Sequence, residues 1–488
     1  MASLNITPCN SYTDYKDRWQ MLRDIDNGEA KLKQRDLSNP GTYLRQLTPG
    51  DTSDYNVSRN QAYIKGARLY NATTRTLTGL MGLLFKNAPV KPELPDELAY
   101  ILENIDGTGQ DIDQQSQSVS RDVTLLGRDG LLADTPRNEE GREITQADVN
   151  NGFRATVQEY KAESIVFWHH AIINGIKKLD VLILHEVVEQ LCGDHLIEVE
   201  EVSQYRIYRL TDSGVTVQLY TEGKDGLEFA DAVDVIDGFG SPVREIMFEF
   251  VGSINNDSSI DNAPMEPIAN VNLGHYQESA NMASSSFNLS AAQPVISDDD
   301  YQKYTGDNDG ETTQDFGEQA CLVLGSSGKF DIIAPPENSL ATTLSKKYED
   351  QMVALGAQLI TDSSGNETAE AARIKHGSDV SQLDTIANNV SDAYSKMLQY
   401  VAMLMGVVPD PTWRYELNRE FFDSALDAQQ AMAVMSMWQG KVISTDVIQK
   451  YLVGKKVIGQ DVDLEMMNDA IAEESTSVGM PSLDQVDE

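Results

Sequence analysis

Residues 153 to 251 alternate polar and β-branched side chains in short runs, and the chain on either side of them does not. The run RIYRL, then TDSG, then VTVQLY is typical of strand, turn and strand. The flanking segments instead repeat apolar residues at three- and four-residue steps, which is typical of amphipathic helices. The sequence therefore predicts an α+β fold, mainly helical, with a β-rich unit between helical regions.

The stretch YNATTRTLTGLMGLLFKNAPV, residues 70 to 90, continues an apolar pattern that starts near residue 62. We expect one long helix over about residues 60 to 87, ended by prolines that cannot continue it. Gly79 and Gly82 would let a neighbouring helix approach closely. Arg75 and Lys86 have two interpretations: each pairs with one of the many carboxylates, or each is an ordinary solvated base.

Further helices are predicted over residues 112 to 127, 266 to 291 and 340 to 360, followed by a long one that ends at Gly406. Between the second and third of these lies an acidic, turn-rich segment, 293 to 337, with the strand candidates ACLVLG and KFDIIA. A polar break, TDSSGNET, precedes the long helix. Pro409 and Pro411 mark a hinge, beyond which we expect helices to residue 472 and a disordered acidic tail over 473 to 488.

The 488 residues carry 77 Asp and Glu against 38 Lys and Arg, for a net charge of −39. Phosphate neutralisation drives nucleic-acid binding, so this charge argues against a tight, sequence-reading DNA-binding protein. It remains compatible with a protein that lets DNA pass without holding it. A solvating acidic surface is the ordinary alternative.

The sequence gives no strong signal for membrane insertion, for export or for cysteine cross-links. No run approaches the ~20 apolar residues that a membrane span needs, and the first residues lack the basic start and apolar core of a signal peptide. Three distant cysteines argue against a disulfide framework and against a four-ligand zinc site. Cys192 and His195 form the one close Cys/His pair, for which a metal role is a minor alternative.

Catalytic motifs are also missing from the sequence. It lacks a Walker loop, GxSxG and HExxH, and so acidic a chain singles out no carboxylate pair. His169 and His170 are expected to be packed or hydrogen-bonded, and His185 to be a surface or cross-strand residue. We therefore expect no catalytic residue, no cofactor and no bound metal ion.

The order of elements, together with three segments, resembles the portal proteins of tailed bacteriophages, the ring-shaped head-to-tail connectors of the capsid. The segments are YNATTRTLTGLMGLLFKNAP, EPIANVNLGHYQESANMASSSFNLSAAQPVI and ETAEAARIKHGSDVSQLDTIANNVSDAYSKMLQYVAMLMG. The first resembles an N-terminal segment of one portal family, the second a long helix ending in Gln-Pro, and the third a Thr-Ala-Ala-Arg stretch that leads into a long helix.

The resemblance implies a portal-type fold with wing, stem, clip and crown, assembled as a ring of probable twelve-fold symmetry around a channel. It divides the chain as follows: wing 1–265, including the β-rich unit 153–251; first stem helix 266–292; clip 293–337; second stem helix 338–360; tunnel loop 361–370; wing long helix 371–410; crown helices 411–472; acidic tail 473–488.

The resemblance also implies roles for particular side chains. In the channel, the tunnel loop and stem would contact DNA through Ser363, Ser364, Gly365, Asn366, Lys346 and Lys347. For the two lysines, a solvent-facing position or a salt bridge between subunits is the alternative. In the clip, the residues facing the terminase or the adaptor would be Asp307, Asp309, Glu311 and Asp315.

The implied function is to form the ring at one vertex of the virion's capsid, through which terminase packages DNA and from which DNA is ejected. The implied partners are further copies of the chain, the terminase large subunit, head-tail adaptor and tail proteins, major capsid protein and scaffold, and double-stranded DNA bound without sequence specificity. No membrane partner is expected, and synthesis is expected in the host cytoplasm. An acidic helical capsid-associated or tail-adaptor protein without a channel is the main alternative, and an acidic hydrolase is a third.

Overall fold

The computed structural model describes residues 6–135, 153–192, 198–223, 226–290, 293–297, 329–333, 339–355, 369–419 and 421. The chain forms two units, Met1–Arg419 and Glu420–Glu488. All the elements named below lie in the first unit.

Helices make up 44% and strands 22%, so the prediction of an α+β protein with more helix than strand is confirmed. Among the described residues, no helix combines the length and apolar character needed to cross a bilayer. The helices are α1 (Asn10–Asp26), α2 (Glu29–Ser38), α3 (Asp54–Gly66), α4 (Ala72–Leu84), α5 (Tyr100–Glu103), α6 (Ile112–Leu126), α7 (Glu266–Ser290), α8 (Ser339–Ala354) and α9 (Ala369–Leu404).

The described strands form three antiparallel sheets. The first has the order β2-β1-β9, the second pairs β10 with β11, and the third has the order β3-β4-β5-β6-β7 with β8 paired to β6. Their bounds are β1 (Arg128–Asp134), β2 (Thr156–Lys161), β3 (Ile165–Ile173), β4 (Ile176–Cys192), β5 (Glu198–Leu210), β6 (Val215–Gly223), β7 (Gly226–Phe229), β8 (Val233–Asp234), β9 (Phe248–Gly252), β10 (Gln293–Ser297) and β11 (Lys329–Ile333).

The β-rich unit is larger than the sequence predicted. Strand β1 precedes residue 153 and is the central strand of the first sheet, paired with β2 on one side and β9 on the other. Its burial explains the missed strand: RDGLLA is buried throughout, so it shows no alternation of polar and apolar residues. The expected unit 153–251 thus contributes to two separate sheets.

The prediction of one long helix over 60 to 87 is wrong, because the chain breaks between α3 and α4. The backbone N–H groups of Arg68 and Leu69 are satisfied by side chains from other helices, at 2.8 Å to Ser279 Oγ and 3.0 Å to Glu29 Oε2. Asn71 then caps α4, since its side chain accepts from the Thr74 N–H at 3.1 Å. The spacing of apolar residues gives no information about these tertiary partners, so it did not predict the break.

The side chains of α4 also differ from expectation. A Cβ added to Gly82 would meet nothing within 4 Å, so this glycine does not mediate a close helix contact. Arg75 is exposed and makes no ion pair with any residue in the described part of the chain, which agrees with the solvated alternative and not with a carboxylate partner. Lys86 is also exposed, but it does have an interaction partner. The apolar stripe itself is core, as predicted, through Leu77, Met81 and Leu84.

Helices α6 and α9 pack on the first sheet and form the centre of the core. Helix α6 begins at a capping Asp111, whose side chain accepts from the Gln114 N–H at 2.7 Å, and ends at Gly127 in the left-handed region (φ +82°). A Cβ at Gly127 would lie 2.5 Å from the Asp261 carbonyl oxygen, so glycine is required there. On α9, the fully buried Tyr394 hydroxyl donates to Gln115 of α6.

The segment after α9 is extended, which corrects the expectation of crown helices from residue 411 onward for the part described, 411–419. Trp413, Tyr415 and Leu417 are buried, and Glu416 bridges antiparallel to Val90. The Tyr415 hydroxyl lies 2.7 Å from Ser116 Oγ. Every second residue here is buried, so this segment packs on the rest of the first unit as an extended strand. Apart from the buried Phe421, the remaining predicted crown residues lie outside the described part.

Candidate functional site

Helices α7 and α8, with strands β10 and β11, form one structure that we call the two-legged arm. His275 lies 3.4 Å from Glu349, and Met282 lies 4.0 Å from Thr342, so the two helices run antiparallel. Beyond them Gln293 pairs with Ile333 in the same antiparallel sense. The chain therefore leaves along α7 and β10 and returns along β11 and α8, with residues 298–328 between.

The outgoing leg is anchored to the body through polar contacts along its first four turns. The buried Asn272 side chain accepts from Thr73 Oγ1 at 3.0 Å and donates to the Tyr70 carbonyl at 2.7 Å. Farther along, Tyr63 donates to Asn281 at 2.8 Å. Helix α7 is 25 residues long, about 37 Å, and these anchors extend over about its first two thirds.

The returning leg is buried along one side only. Ala341, Ser345 and Met352 are buried at helical spacing, and α8 packs chiefly on α7. Gly274 of α7 allows this contact, since a Cβ there would come within 3.1 Å of the Tyr348 ring. No described element covers the opposite face of α8, which includes the exposed apolar residue Leu340.

Lys346 and Lys347, the predicted channel lysines, lie on the exposed part of α8. Neither makes an ion pair with any residue that the structure describes. Their charges are therefore available to a second chain or to a ligand. The other predicted site residues lie outside the described part of the chain: Ser363, Ser364, Gly365, Asn366, Asp307, Asp309, Glu311 and Asp315.

A second group of residues, which the sequence did not single out, is a buried acidic cluster of Asp122, Asp129 and Glu159. One carboxylate oxygen from each lies within 4.8 Å of the others. Asp122 comes from α6, Asp129 from β1 and Glu159 from β2, where the register sets Asp129 opposite Lys161 and Leu131 opposite Glu159. Asp122 and Asp129 are close in sequence, but Glu159 is thirty residues beyond Asp129 and joins them through the pairing of β1 with β2.

Cations neutralise part of this acidic cluster. Arg23 of α1 donates to both oxygens of Asp122 at 2.6 and 2.7 Å and to Glu163 at 2.7 Å. Burial raises the pKa of Asp129 well above its usual range, and the charges of Glu159 and Asp122 raise it further. Burial also raises the pKa of Glu159. Protonation of Asp129 would relieve the remaining repulsion, and the Arg23 guanidinium already donates to both oxygens of Asp122.

Arg128, beside this cluster in sequence, is buried between two aromatic rings. Its guanidinium carbon lies 4.0 Å from the Trp168 ring centroid and 4.4 Å from that of Phe250, and Nη1 donates to the Ser258 carbonyl at 3.0 Å. Burial lowers the pKa of Arg128 to about 9. The side chain remains charged at neutral pH and joins the first sheet to β3 through cation–π contacts.

A cavity of about 800 Å³ lies between the first sheet and the sheet of β3 to β7. Its polar wall centres on Arg206, which donates to Asp134 and lies 3.0 Å from Glu186 Oε1. Burial alone would lower the pKa of Arg206, but the surrounding tyrosines and carboxylates outweigh burial and raise it. Tyr160 also donates to Glu186. The carboxylates here are engaged with Arg206 and Tyr160, so this wall holds the two sheets together.

His169 and His185 have structural partners, and His170 is half-buried. His169 Nδ1 lies 2.7 Å from Asp180, which agrees with the expected hydrogen-bonded role, although the ring is exposed. The His185 ring lies 5.0 Å from that of Tyr205, directly across β4 and β5, as expected for a cross-strand residue. His195 lies outside the described residues, so the Cys192 and His195 pair stays a hypothesis.

A family described as a domain of unknown function, DUF4055, matches residues 264–405 of the 488. No curated protein matches the chain. The matched region begins just before α7 and ends just after α9. It therefore contains the whole two-legged arm and the central core helix, and this part of the chain is similar to that family.

Proposed function

We propose that this protein is the subunit of a portal ring, the channel at one capsid vertex of a tailed bacteriophage. In this role the ring passes double-stranded DNA inward during packaging by terminase and outward during ejection. It also carries the adaptor and tail, and contacts the major capsid protein and scaffold during head assembly.

The two-legged arm is the observation that carries this proposal. Two helices pack antiparallel on each other, and a strand pair follows the first helix and precedes the second along the chain. A stem leading to a clip needs this connectivity. The similarity to a single family over residues 264–405 supports treating the arm and α9 as one functional segment.

The open face of α8 gives further support. A helix packed on one side only has a second side available to a neighbouring subunit or to a channel. Closed rings require heterologous contacts, in which two different faces of each subunit meet. Lys346 and Lys347 would give weak, non-specific phosphate contacts in an otherwise acidic channel, and such contacts would guide DNA without retaining it.

Negative-stain images of the purified full-length protein, taken beside its mass in solution, test the proposal. We expect rotationally symmetric rings with a central hole and a mass near that of twelve chains. Because some rings need scaffold to assemble, the measurement is repeated with scaffold protein present. A closed particle without a channel under both conditions would contradict the proposal and favour the capsid-associated or adaptor alternative.

A further inference from the structure

The turn between β3 and β4 exposes apolar and basic side chains together, and we call it the basic end. Asn174 and Gly175 form this turn with positive φ angles of 53° and 81°. Ile172 and Ile176, which flank the turn, are 79% and 61% exposed. Lys177 follows and is exposed, and neither it nor Lys178 makes an ion pair with a described residue.

The other end of β4 has the opposite charge, and we call it the acidic end. Here β4 pairs with β5 alone, because β3 pairs with β4 only as far as Leu184 and β6 pairs with β5 only from Gln204 onward. The result is a two-stranded ribbon. Its exposed side chains are Val187, Glu189, Gln190, Val199, Glu200 and Glu201.

In a single chain, the acidic end contains a destabilising pair of like charges. Glu189 lies directly opposite Glu201 in the register, and like charges in this position destabilise a strand pair. Neither glutamate has a cationic partner among the described residues. A two-stranded ribbon is also only marginally stable without a covering surface. Within the described residues, the ribbon therefore has neither a counter-charge nor an apolar cover.

We propose that the basic end of one copy docks on the acidic end of the next copy. Each end supplies what the other lacks: Lys177 and Lys178 provide the counter-charge, and the exposed isoleucines cover the exposed valines. A chain of net charge −39 has few surfaces on which a second copy could find positive charge, and the basic end is one of them. The occupant is thus another copy of this chain.

One subunit cannot make this contact with itself. Thirteen residues separate Lys177 from Gln190, so the two ends of β4 lie about 40 Å apart. A contact between unlike ends is heterologous, so it propagates from copy to copy and closes only if the rotation between copies completes a circle. The inference rests on the proposed function and names the wing surface that would join neighbouring subunits of the ring.

Charge exchange between the two ends tests this contact. The first variant is Lys177→Glu with Lys178→Glu, and the second is Glu189→Lys with Glu201→Lys. Each alone should reduce the assembled fraction at least tenfold, as measured by analytical ultracentrifugation, because like charges then meet at every contact. Equimolar mixing of the two variants should restore assembly, since each end again meets its opposite.

A matched control makes the same change in net charge at a different surface. Asp14→Lys with Asp17→Lys alters exposed positions on α1 by the same amount as the second variant and should leave assembly unchanged or improve it. Circular dichroism and thermal unfolding confirm that each variant is folded before assembly is measured.

The outcomes separate this inference from the proposed function. If wild-type rings form and neither double variant affects them, the docking contact is wrong and the portal function stands. If the wild-type chain forms open filaments or pairs that respond to the charge exchange, the contact stands and the ring proposal fails. If the wild-type chain stays monomeric at high concentration, with and without scaffold, both are overturned.

Discussion

Arg128 shows how a single side chain joins two sheets. The guanidinium plane lies between the rings of Trp168 and Phe250, at 4.0 and 4.4 Å, while one nitrogen reaches a backbone carbonyl. A planar, delocalised cation suits this gap, and a lysine ammonium would need hydration that a buried site lacks. The identity of the residue, rather than its charge alone, is therefore what the site requires.

We predict that Arg128→Lys lowers the free energy of unfolding by about 2 kcal/mol, because two desolvated cation–π contacts weaken at once. Urea denaturation followed by tryptophan fluorescence measures the change. The control is Arg59→Lys, where the guanidinium lies 5.7 Å from the Tyr55 ring on an exposed surface. The control should change stability by less than about 0.5 kcal/mol. Equal losses in the two variants would contradict the assigned role of the buried rings.

The acidic cluster leads to a prediction about pH. Because the folded protein holds the pKa of Asp129 above its unfolded value, the folded state binds the proton more tightly. Stability from this group is therefore full below the unfolded pKa of about 4 and is lost as pH rises through the folded pKa. Above its folded pKa, an ionised Asp129 would face Glu159 and Asp122 from a fully buried position.

We therefore expect Asp129→Asn to match the wild-type unfolding free energy near pH 4 and to exceed it increasingly as pH rises toward 8. Denaturant titrations across this range measure the difference. Asp122→Asn is the contrasting variant: it breaks the paired hydrogen bonds from Arg23 and should destabilise the protein by about 3 kcal/mol at neutral pH. A pH-independent effect of Asp129→Asn would show that the cluster carries no shared proton.

At the scale of elements, the sequence predicted what depends on local periodicity. Helix α6 was expected over 112 to 127 and spans Ile112–Leu126, and the helix expected over 266 to 291 spans Glu266–Ser290. The strand candidate KFDIIA contains β11, whereas ACLVLG lies outside the described residues. In these segments the local pattern and the tertiary environment favour the same structure.

The errors have a common cause, which is that distant residues decided the local structure. The break between α3 and α4 depends on Glu29 and Ser279, and no local pattern records either partner. The acidic cluster depends on the pairing of β1 with β2, and β1 itself was missed because uniform burial removes alternation. The helices of the two-legged arm could be predicted from local periodicity, but the side chains of other elements that pack on them could not.

The contact between α7 and α8 can be tested through its glycine. Gly274→Leu places a side chain where even a Cβ comes within 3.1 Å of the Tyr348 ring, so the helices must separate. Because α8 packs chiefly on α7, we expect faster hydrogen exchange throughout α8, with the first sheet unaffected. Peptide-resolved exchange mass spectrometry measures this difference.

Gly82→Leu is the matched control, since the same residue enters a helix where a Cβ meets nothing within 4 Å. It should leave exchange in α8 unchanged and should slightly stabilise α4, because glycine is a poor helix former. Unchanged exchange in the Gly274→Leu variant would mean that the two legs do not depend on each other.

At the scale of the whole molecule, net charge opposes the assembly that the proposed function requires. Each copy adds a charge of −39, spread over its surface, while the proposed contact between copies brings only a few opposite charges together. Salt weakens both the repulsion between whole copies and the attraction between opposite charges at the contact. It screens the long-range repulsion most, because the Debye length is about 10 Å at 0.1 M. Exposed ion pairs contribute only about 0 to 1 kcal/mol each, so their loss costs less.

We therefore predict that raising sodium chloride from about 20 mM to about 300 mM increases the assembled fraction of the wild-type chain, because the Debye length shortens over this range. Mass photometry at fixed protein concentration measures the assembled fraction. The Asp14→Lys with Asp17→Lys variant carries a smaller net negative charge and should assemble at lower salt than the wild type. Dissociation of the wild-type assembly by salt would mean that the ion pairs at the contact outweigh the repulsion between whole subunits.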